Sequence, residues 1–295
     1  MPVGTYTSCV TLLPLFELLG FVLGLLFGSF LNVCISRLPA HRSIVKPRSH
    51  CSACGHKIRW HDNVPVLSWI VLRGRCRDCD APISWQYLAV ELAVGVWFWI
   101  AVDSLYSAVE RTHDLGYTAS AITAPLIIHA LTFTVLGFLL IGLMVMDWQT
   151  QRLPDAFTLT GIAIGFALTC VRAIFHEPDQ LPATILLDRI AAIAGAALIL
   201  LLVRWGYKAL RKRDGMGLGD VKLLAMIAAF LGFGQMLLAL FVGVITASVY
   251  GIVLMARRRA GGSSKLPLGS FLAAGGLFSA LFGPQILAWY MEMFR

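Results

Sequence analysis

The stretch GMGLGDVK (Gly215–Lys222) places an aspartate directly after closely spaced glycines, at the entrance to an apolar segment. A charge at bilayer depth costs roughly 2.5 to 3.5 kcal/mol on insertion scales, so a membrane helix has no structural need for an acid in its first turn. The presence of Asp220 therefore indicates a functional site. A second acid, Asp147 in VMDWQTQRLPD, stands where another long apolar run ends. We predict that the fold brings these two carboxylates together at one membrane face.

The composition is that of a polytopic membrane protein. Hydrophobic residues make up 58% of the chain and charged residues only 14%, with a mean hydropathy of +0.77. The formal net charge of +8 is spread over several hydrophilic connections. This distribution indicates a role in membrane orientation and predicts no nucleic-acid partner. The lipid bilayer is the first expected partner.

A membrane span needs about 20 apolar residues, and the sequence contains eight candidate segments. They cover residues 14–36, 86–106, 124–146, 156–175, 184–206, 219–233, 235–256 and 267–291. The first apolar stretch is longer than the hydrophobic part of a secretory signal and is followed by no cleavage site, so we expect it to remain as a span. The sequence predicts an all-α polytopic membrane protein with about eight transmembrane helices and a cytoplasmic zinc-binding loop domain between the first two.

The domain organisation follows from these segments. Residues 1–36 carry the first transmembrane helix, residues 37–85 form the hydrophilic loop domain, and residues 86–295 form a helical membrane domain with both acids. Twenty of the 24 Lys and Arg residues fall in this loop domain and in connections predicted on the same side. By the positive-inside rule that side is the cytoplasm. Eight spans then place both termini outside and both acids at the cytoplasmic face.

The loop domain contains four cysteines in a C-x2-C-x21-C-x2-C pattern: Cys51, Cys54, Cys76 and Cys79. Each CxxC turn directs two thiolates at one centre, and two such turns form a tetrahedral sulfur site that suits zinc. Four thiolates leave no open position for water, so the predicted zinc is structural. A loop of this size has little apolar core, so metal binding would supply much of its folding free energy.

The other histidines and cysteines near these segments have simpler interpretations. The histidines beside the cysteine pairs are expected to be solvated loop residues: His50, His56 and His61. Three further cysteines lie in or beside apolar spans and are expected to pack without reacting: Cys9, Cys34 and Cys170.

Two adjacent carboxylates cannot both ionise cheaply, so they share a proton. One then accepts a proton from water while the other donates one to a peptide carbonyl, which is the chemistry of aspartic proteases. We therefore predict Asp147 and Asp220 as the catalytic pair. An equally simple interpretation of the spacing alone is that each acid caps a helix at the membrane interface.

The residues around the two acids extend this prediction. Glycines such as Gly217 and Gly219 let the backbone approach a substrate strand closely, so we predict that they position the substrate. Lys222 is a further candidate for substrate positioning, although snorkelling of its ammonium group to the lipid headgroups is the simpler role. Asp155 follows Pro154 and is expected to be a helix N-cap.

Several motifs together resemble one known family, the bacterial prepilin peptidases. The resemblance rests on GSFLNVCISRLP (Gly28–Pro39), the four-cysteine loop, DNVPVLSW (Asp62–Trp69), LRGRCRDC, MDWQTQRLPD and GLGDVKL. These motifs cover nearly the whole chain in the right order. The members of this family are bifunctional leader peptidases and N-methyltransferases of type IV pili and type II secretion.

The resemblance implies a substrate, a second activity and a location. It implies cleavage of prepilins and pseudopilins after the glycine that ends a short basic leader, on the cytoplasmic side of the bacterial inner membrane, with both termini periplasmic. Methylation of the new N-terminal residue, commonly phenylalanine, with S-adenosylmethionine would follow. The family's aspartate pair maps onto Asp147 and Asp220, and its zinc ligands map onto the four loop cysteines.

The chain departs from the family pattern at places that bear on these expectations. After Ser84 it reads Trp-Gln-Tyr-Leu where the family has Arg-Tyr-Pro. Near the C-terminus LPLGSFLA (Leu266–Ala273) replaces a proline-phenylalanine-glycine-proline arrangement. The first departure lies close to Glu91, an acid just inside the second span, which we predict to contribute to the methyl-donor pocket. A hydrogen-bonded acid within the helix bundle is the alternative role for Glu91.

Three other functions stay open at this point. The chain could be a peptidase without methyltransferase activity. It could be an ion or metal transporter with a zinc-sensing loop, although transporters place ionisable residues near the bilayer midplane. It could also be a membrane scaffold whose loop docks a partner, which leaves Asp220 unexplained.

Overall fold

The computed structural model of the chain describes residues 4–114, 119–175, 181–212, 216–257 and 266–294. The helices of these ranges are α1 (Gly4–Arg37), α2 (Leu67–Val71), α3 (Trp85–Asp114), α4 (Ala119–Thr150), α5 (Asp155–Ile174), α6 (Pro182–Arg211), α7 (Leu218–Leu231), α8 (Phe233–Ala256) and α9 (Leu268–Glu292). In the described residues the β-structure is limited to two isolated bridges, His50 with Lys57 and Arg75 with Pro82. The predicted all-α fold is confirmed. Gly215 and the side chain of Cys9 lie outside the described part of the chain.

Seven of the described helices are long and apolar enough to cross a membrane: α1, α3, α4, α5, α6, α8 and α9. The sixth predicted span, residues 219–233, corresponds to α7, which has only 14 residues. At 1.5 Å per residue this helix is about 21 Å long, shorter than the roughly 30 Å of a hydrocarbon core. Gly232 ends α7 with a φ of 82°, a conformation that favours glycine. The predicted location of the termini, which assumed eight spans, stays a prediction.

The chain packs as two units, Met1–Phe138 and Leu139–Arg295. In the first unit, α1 and α3 lie side by side along a row of glycines spaced by four residues on α1. A Cβ on Gly24 would lie 2.7 Å from the Val94 carbonyl oxygen, and one on Gly28 would lie 2.7 Å from the Cα of Glu91. Small residues at this spacing let two membrane helices approach closely. The row therefore holds the polar residues that follow Gly28 directly against α3.

In the second unit, α7 is the central helix and packs against α5, α6, α8 and α9. All its side chains from Leu223 to Phe230 are buried, as expected for a helix that is apolar on every side. A Cβ on Gly165 of α5 would lie 2.7 Å from the Phe230 ring, so this small residue makes room for the large core side chain. The neighbouring helices thus fix the N-terminal end of α7, where Asp220 lies.

Candidate active site and metal centre

Asp147 lies in the last turn of α4 and is only 5% exposed. Its Oδ2 accepts a hydrogen bond from the backbone N–H of Ser270 at 2.7 Å and lies 3.1 Å from the Ser270 hydroxyl. That hydroxyl also lies 2.9 Å from the carbonyl oxygen of Met144. A serine hydroxyl has one hydrogen and two lone pairs. Ser270 can therefore donate to Asp147 when the acid is ionised, and accept from Asp147 while donating to Met144 when the acid is protonated.

The position of Ser270 explains how the buried carboxylate of Asp147 is stabilised. Ser270 belongs to the first turn of α9, where backbone N–H groups have no partner within the helix. The Asp147 carboxylate also accepts a backbone hydrogen bond from Gly269. These amides and the positive end of the helix dipole stabilise a negative charge.

Asp220 lies in the first turn of α7 and is half-buried. Gly217 is the N-cap residue of this helix, and its backbone N–H donates to the Asp220 side chain. This matches the reciprocal half of a capping box, in which an acid in the first turn binds the N-cap amide. Each acid therefore has a structural partner at a helix start, as the capping interpretation expects. Asp220 lies close enough to Asp147 to be affected by its charge. Helix capping alone does not explain why the two acids are neighbours.

Leu153, in the connection between α4 and α5, lies between the two helix starts. A Cβ on Gly219 would lie 3.1 Å from the Leu153 Cβ. A Cβ on Gly269 would lie 2.9 Å from the Leu153 Cδ1 and 3.0 Å from the Cγ of Asp147. Glycine at both positions therefore lets the starts of α7 and α9 approach Leu153 from two sides. The structure thus brings Asp147 and Asp220 to one end of the helices of the second unit.

The residues predicted to position a substrate have different surroundings. Gly217 is exposed beside Asp220, whose Oδ2 lies 3.6 Å from where a Cβ would stand. Gly219 packs against Leu153, which gives this glycine a packing role in addition to the predicted one. Lys222 donates to Asp155 at 2.6 Å, so its ammonium group has a protein partner at the start of α5.

The prediction that Asp155 is a helix N-cap is wrong. The N-cap of α5 is Pro154, and Asp155 is the first residue inside the helix. Pro154 has an extended ψ of 133°, so the helical conformation begins at the residue that follows it. The Asp155 side chain instead accepts the ion pair from Lys222. An acid at this position still interacts favourably with the helix dipole.

The four loop cysteines form one cluster in the first unit. Their Sγ atoms all lie within 4.8 Å of one another, and those of Cys51 and Cys79 are 3.8 Å apart. A tetrahedral zinc with bonds of about 2.3 Å requires sulfur–sulfur distances of about 3.8 Å. The cluster therefore has the donor type, number and spacing of a structural zinc site.

The backbone around the cysteines supports this interpretation. The N–H of Cys51 donates to the carbonyl of His56, and the N–H of Gly55 donates to the carbonyl of Cys51, both at 2.9 Å. The same pair of bonds, at 2.9 and 3.0 Å, recurs around Cys76. Hydrogen bonds from the amides of Cys54 and Ala53 lower the pKa of the Cys51 thiol to about 6, whereas burial and the other three thiols raise the pKa of Cys79 to about 12. A low thiol pKa favours the thiolate that metal binding requires.

The loop histidines and Cys34 have the surroundings that the sequence predicts. The histidines beside the cysteine pairs, His50, His56 and His61, are exposed, and Cys34 is buried in α1. Asp62, at the start of one family motif, forms an ion pair with Arg77. The hydrogen bonds from the Arg77 guanidinium hold the pKa of Asp62 below its ordinary value. This pair joins the segment before α2 to the second cysteine turn.

Glu91 is 7% exposed on α3. Its Oε2 accepts a hydrogen bond from the backbone N–H of Val66 at 2.8 Å. The hydroxyl of Ser29 on α1 hydrogen-bonds to the same carboxylate. Glu91 therefore connects α1, α3 and the loop domain. These contacts agree with the alternative role of an acid that is hydrogen-bonded within the helix bundle. Glu91 also lines a cavity at this junction, as its predicted role in a methyl-donor pocket requires.

Comparisons with known proteins agree with this arrangement of two units. A model of the bacterial peptidase A24 N-terminal domain matches residues 22–105, and a model of the type IV leader peptidase family matches residues 133–252. The prepilin leader peptidase/N-methyltransferase of Aeromonas hydrophila is 33% identical over an alignment of 299 positions that covers 93% of each chain. The chain belongs to the type IV leader peptidase family. It is therefore an enzyme and a multi-pass protein of the inner membrane.

Two further relatives carry the same name. That of Burkholderia pseudomallei (strain 1026b) is 35% identical over 287 residues, covering 89% of this chain and 84% of the relative. That of Myxococcus xanthus (strain DK1622) is 37% identical over 253 residues, covering 84% of this chain and 66% of the relative. No solved structure matches the chain.

Sequence reasoning missed Ser270, the residue that binds Asp147. The segment around it was noticed only as a departure from the arrangement usual in the leader peptidase family. A serine in the first turn of an apolar helix is a weak signal by itself, because serine is common at helix starts. Its partner lies 123 residues earlier in the chain.

Proposed function

We propose that this enzyme removes the basic leader of type IV prepilins and pseudopilins by cutting after a glycine on the cytoplasmic side of the membrane. It then methylates the new N-terminal residue, usually phenylalanine, with S-adenosylmethionine. The observation that carries the peptidase half is the pair of acids in one unit, Asp147 in the last turn of α4 and Asp220 in the first turn of α7. The family membership supports both halves, since the relatives are named for both activities.

The hydrogen bonds of the two acids suggest how they divide the work. The backbone of Ser270 and Gly269 and the Ser270 hydroxyl all point at Asp147, whereas Asp220 has the single amide of Gly217. The shared negative charge is therefore better placed on Asp147 and the shared proton on Asp220. Asp147 would accept the proton of the attacking water while Asp220 donates its proton to the carbonyl oxygen of the scissile bond.

The site suits a substrate that lies partly in lipid. A prepilin has a basic leader, a cutting point and then an apolar helix, so the enzyme must hold a helix in the bilayer and cut where it emerges. The two acids lie at helix ends, where a strand that emerges from the bilayer would become available. This placement does not favour a transporter, in which ionisable groups lie within interrupted helices near the midplane.

The zinc of the loop domain would have a structural role, held by Cys51, Cys54, Cys76 and Cys79. S-adenosylmethionine would supply an electrophilic methyl group when bound. The chain's own residues would have to bind this donor and keep the new N-terminal amine unprotonated and aligned. The peptidase chemistry needs neither group.

The test is a combined assay with purified enzyme in liposomes. The substrate is a model prepilin with a basic leader, a glycine, a phenylalanine and an apolar helix, supplied with S-adenosylmethionine that is tritiated in its methyl group. We expect one cut after the glycine and label on the new phenylalanine. Cutting without label would leave the peptidase-only alternative, and absence of any cut would overturn the proposal.

Substitution of Ser270 is expected to reduce the peptidase activity only in part. Ser270→Ala removes the hydroxyl but keeps the backbone amide, so Asp147 loses one donor of several. We expect kcat for leader cleavage to fall about tenfold. One hydrogen bond to a charged group contributes about 1.5 to 3 kcal/mol, and the lower end applies because Asp147 keeps its backbone donors. KM should change little, because the serine contacts the acid and not the leader. Steady-state kinetics on the model prepilin measures both constants.

A second serine of α9 offers the matched control. Ser279 is fully buried, and its hydroxyl donates to the Gln235 carbonyl at 2.7 Å, away from the acids. Ser279→Ala should leave kcat near the wild-type value. Equal kcat values for Ser270→Ala and wild type would show that the hydroxyl does not support Asp147.

A further inference from the structure

A cavity of about 560 Å³ lies within the first unit, where α1, α3 and the loop domain meet. Residues from all three parts line it, among them Ser29, Asn32, Val66, Trp69, Tyr87 and Glu91. Pockets for small molecules and cofactors usually have volumes of about 300 to 1,000 Å³. The cavity is therefore large enough for a nucleoside-sized ligand.

Asn32 of α1 is the unusual residue of this cavity. It is only 4% exposed, and its Nδ2 donates to the carbonyl oxygen of Tyr87 at 3.0 Å. That bond fixes the orientation of the amide, because Tyr87 offers an acceptor and only the Nδ2 side can donate. The Oδ1 atom is buried and has no protein partner among the described residues.

An unpaired buried acceptor costs free energy, because it has lost its hydrogen bonds to water and gained none in the protein. Native proteins therefore keep such atoms mostly where a ligand or an ordered water completes the hydrogen bond. Asn32 is held in place by the Tyr87 bond and cannot turn its oxygen toward another partner without losing it. Its Oδ1 is thus a preformed acceptor at a fixed position.

Close helix packing and hydrogen bonds form the side of the cavity around Asn32. One turn earlier on α1, Gly28 lets the helix approach the backbone of Glu91, and Ser29 hydrogen-bonds to the Glu91 carboxylate. Glu91 in turn holds the backbone N–H of Val66, whose φ of 61° is rare for a β-branched residue. The loop domain is therefore tied to α1 and α3 at the edge of the cavity.

We propose that this cavity binds S-adenosylmethionine, with Asn32 Oδ1 accepting a hydrogen bond from an amino or hydroxyl group of the donor. The ligand offers such donors in its adenine, ribose and amino-acid parts. The indole of Trp69 and the ring of Tyr87 supply flat apolar surface for an adenine. The inference rests on the proposed methyl transfer and adds to it a location and a binding residue that the predicted Glu91 alone did not give.

The test measures binding of S-adenosylmethionine itself to the full-length, zinc-loaded enzyme in detergent, by equilibrium dialysis of the tritiated compound. Asn32→Leu keeps the branched shape of the side chain and removes the acceptor, and we expect the Kd to rise at least about tenfold.

A polar residue elsewhere in the same unit serves as the matched control. The hydroxyl of Thr134 on α4 donates to the Ala130 carbonyl of its own helix at 2.7 Å, so Thr134→Val removes a polar group without touching the cavity. Its Kd should equal that of wild type. Zinc content and melting temperature of each variant show that the protein is folded.

Ultraviolet cross-linking of labelled S-adenosylmethionine to the wild-type enzyme tests the site even if Asn32→Leu does not fold. We expect label in peptides from α1 or from residues 62–91. An unchanged Kd for Asn32→Leu, or label only in peptides from residues 139–295, would overturn the site while methyl transfer itself stands. A wild-type enzyme that neither binds nor transfers the label would overturn methyl transfer, and the site with it. An unchanged Kd would assign the Asn32 oxygen to a buried water.

Discussion

Exchange of either Asp147 or Asp220 for asparagine is expected to lower the rate of leader cleavage by about 10²- to 10⁴-fold, the range that general acid–base groups contribute. Asparagine keeps the shape of the side chain and most hydrogen bonds but can neither accept the proton of water nor donate one to the carbonyl. Because the two acids act as one unit, the double variant should be no slower than the slower single variant. Cleavage of the model prepilin in membranes, with an initial-rate readout, measures all three.

Asp155 provides the control for these variants. It lies at the start of α5, eight residues after Asp147, but is exposed and paired with Lys222, and exposed ion pairs contribute only about 0 to 1 kcal/mol. Asp155→Asn should therefore cleave the prepilin at nearly the wild-type rate and insert into the membrane as well as Asp147→Asn does. Wild-type rates for Asp147→Asn and Asp220→Asn would refute the aspartic mechanism and leave helix capping as the role of both acids.

Exchange of Cys51 for serine is expected to abolish stoichiometric zinc binding and to unfold the loop domain. Metal binding by four-sulfur sites contributes apparent free energies of about 10 to 16 kcal/mol, more than the apolar contacts of such a small loop can replace. We expect the metal content of purified protein to fall from about one zinc per chain to near zero, since a hydroxyl is a poor zinc ligand. Elemental analysis measures the zinc, and limited proteolysis of residues 41–84 reports the loss of structure.

Cys170→Ser is the matched control for the metal site. Cys170 is a free cysteine of α5, far along the chain from the loop, and its loss should not change zinc content or proteolysis. Equal zinc content in Cys51→Ser and Cys170→Ser would show that the loop cluster is not the metal site. A protease-resistant loop without zinc would show that the metal does not supply the folding free energy.

The membrane fold could be predicted from the sequence because lipid imposes simple rules. A segment that spans a bilayer must satisfy its backbone within a helix and be apolar for about 20 residues, and seven segments do so. The sixth predicted span does not, because Gly232 turns the backbone between α7 and α8 inside an uninterrupted apolar run. Apolarity alone cannot distinguish a lipid-facing helix from a buried one such as α7.

The cysteine cluster could be predicted for a different reason. The CxxC spacing fixes the local turn, so two short motifs suffice to specify a tetrahedral site. Asp147 and Asp220 were conspicuous because an acid at the end of an apolar run is costly. The sequence offered no comparable signal for their partners.

Ser270 and Asn32 show where sequence reasoning ends. Both are ordinary polar residues on apolar helices, and their importance comes from packing between segments distant in the chain. The spacing of Gly20, Gly24 and Gly28 could have indicated the tight contact of α1 with another helix. Only the structure shows that the Asn32 oxygen has no partner within the part of the chain that it describes.

The central claim is that Asp147 and Asp220 form one site. The most direct measurement is thiol cross-linking of the double variant Asp147→Cys/Asp220→Cys in native membranes, using a short bifunctional reagent and mass spectrometry to identify the joined peptides. The account predicts a cross-link between positions 147 and 220. Labelling of both positions by a monofunctional reagent, without any cross-link between them, would contradict it.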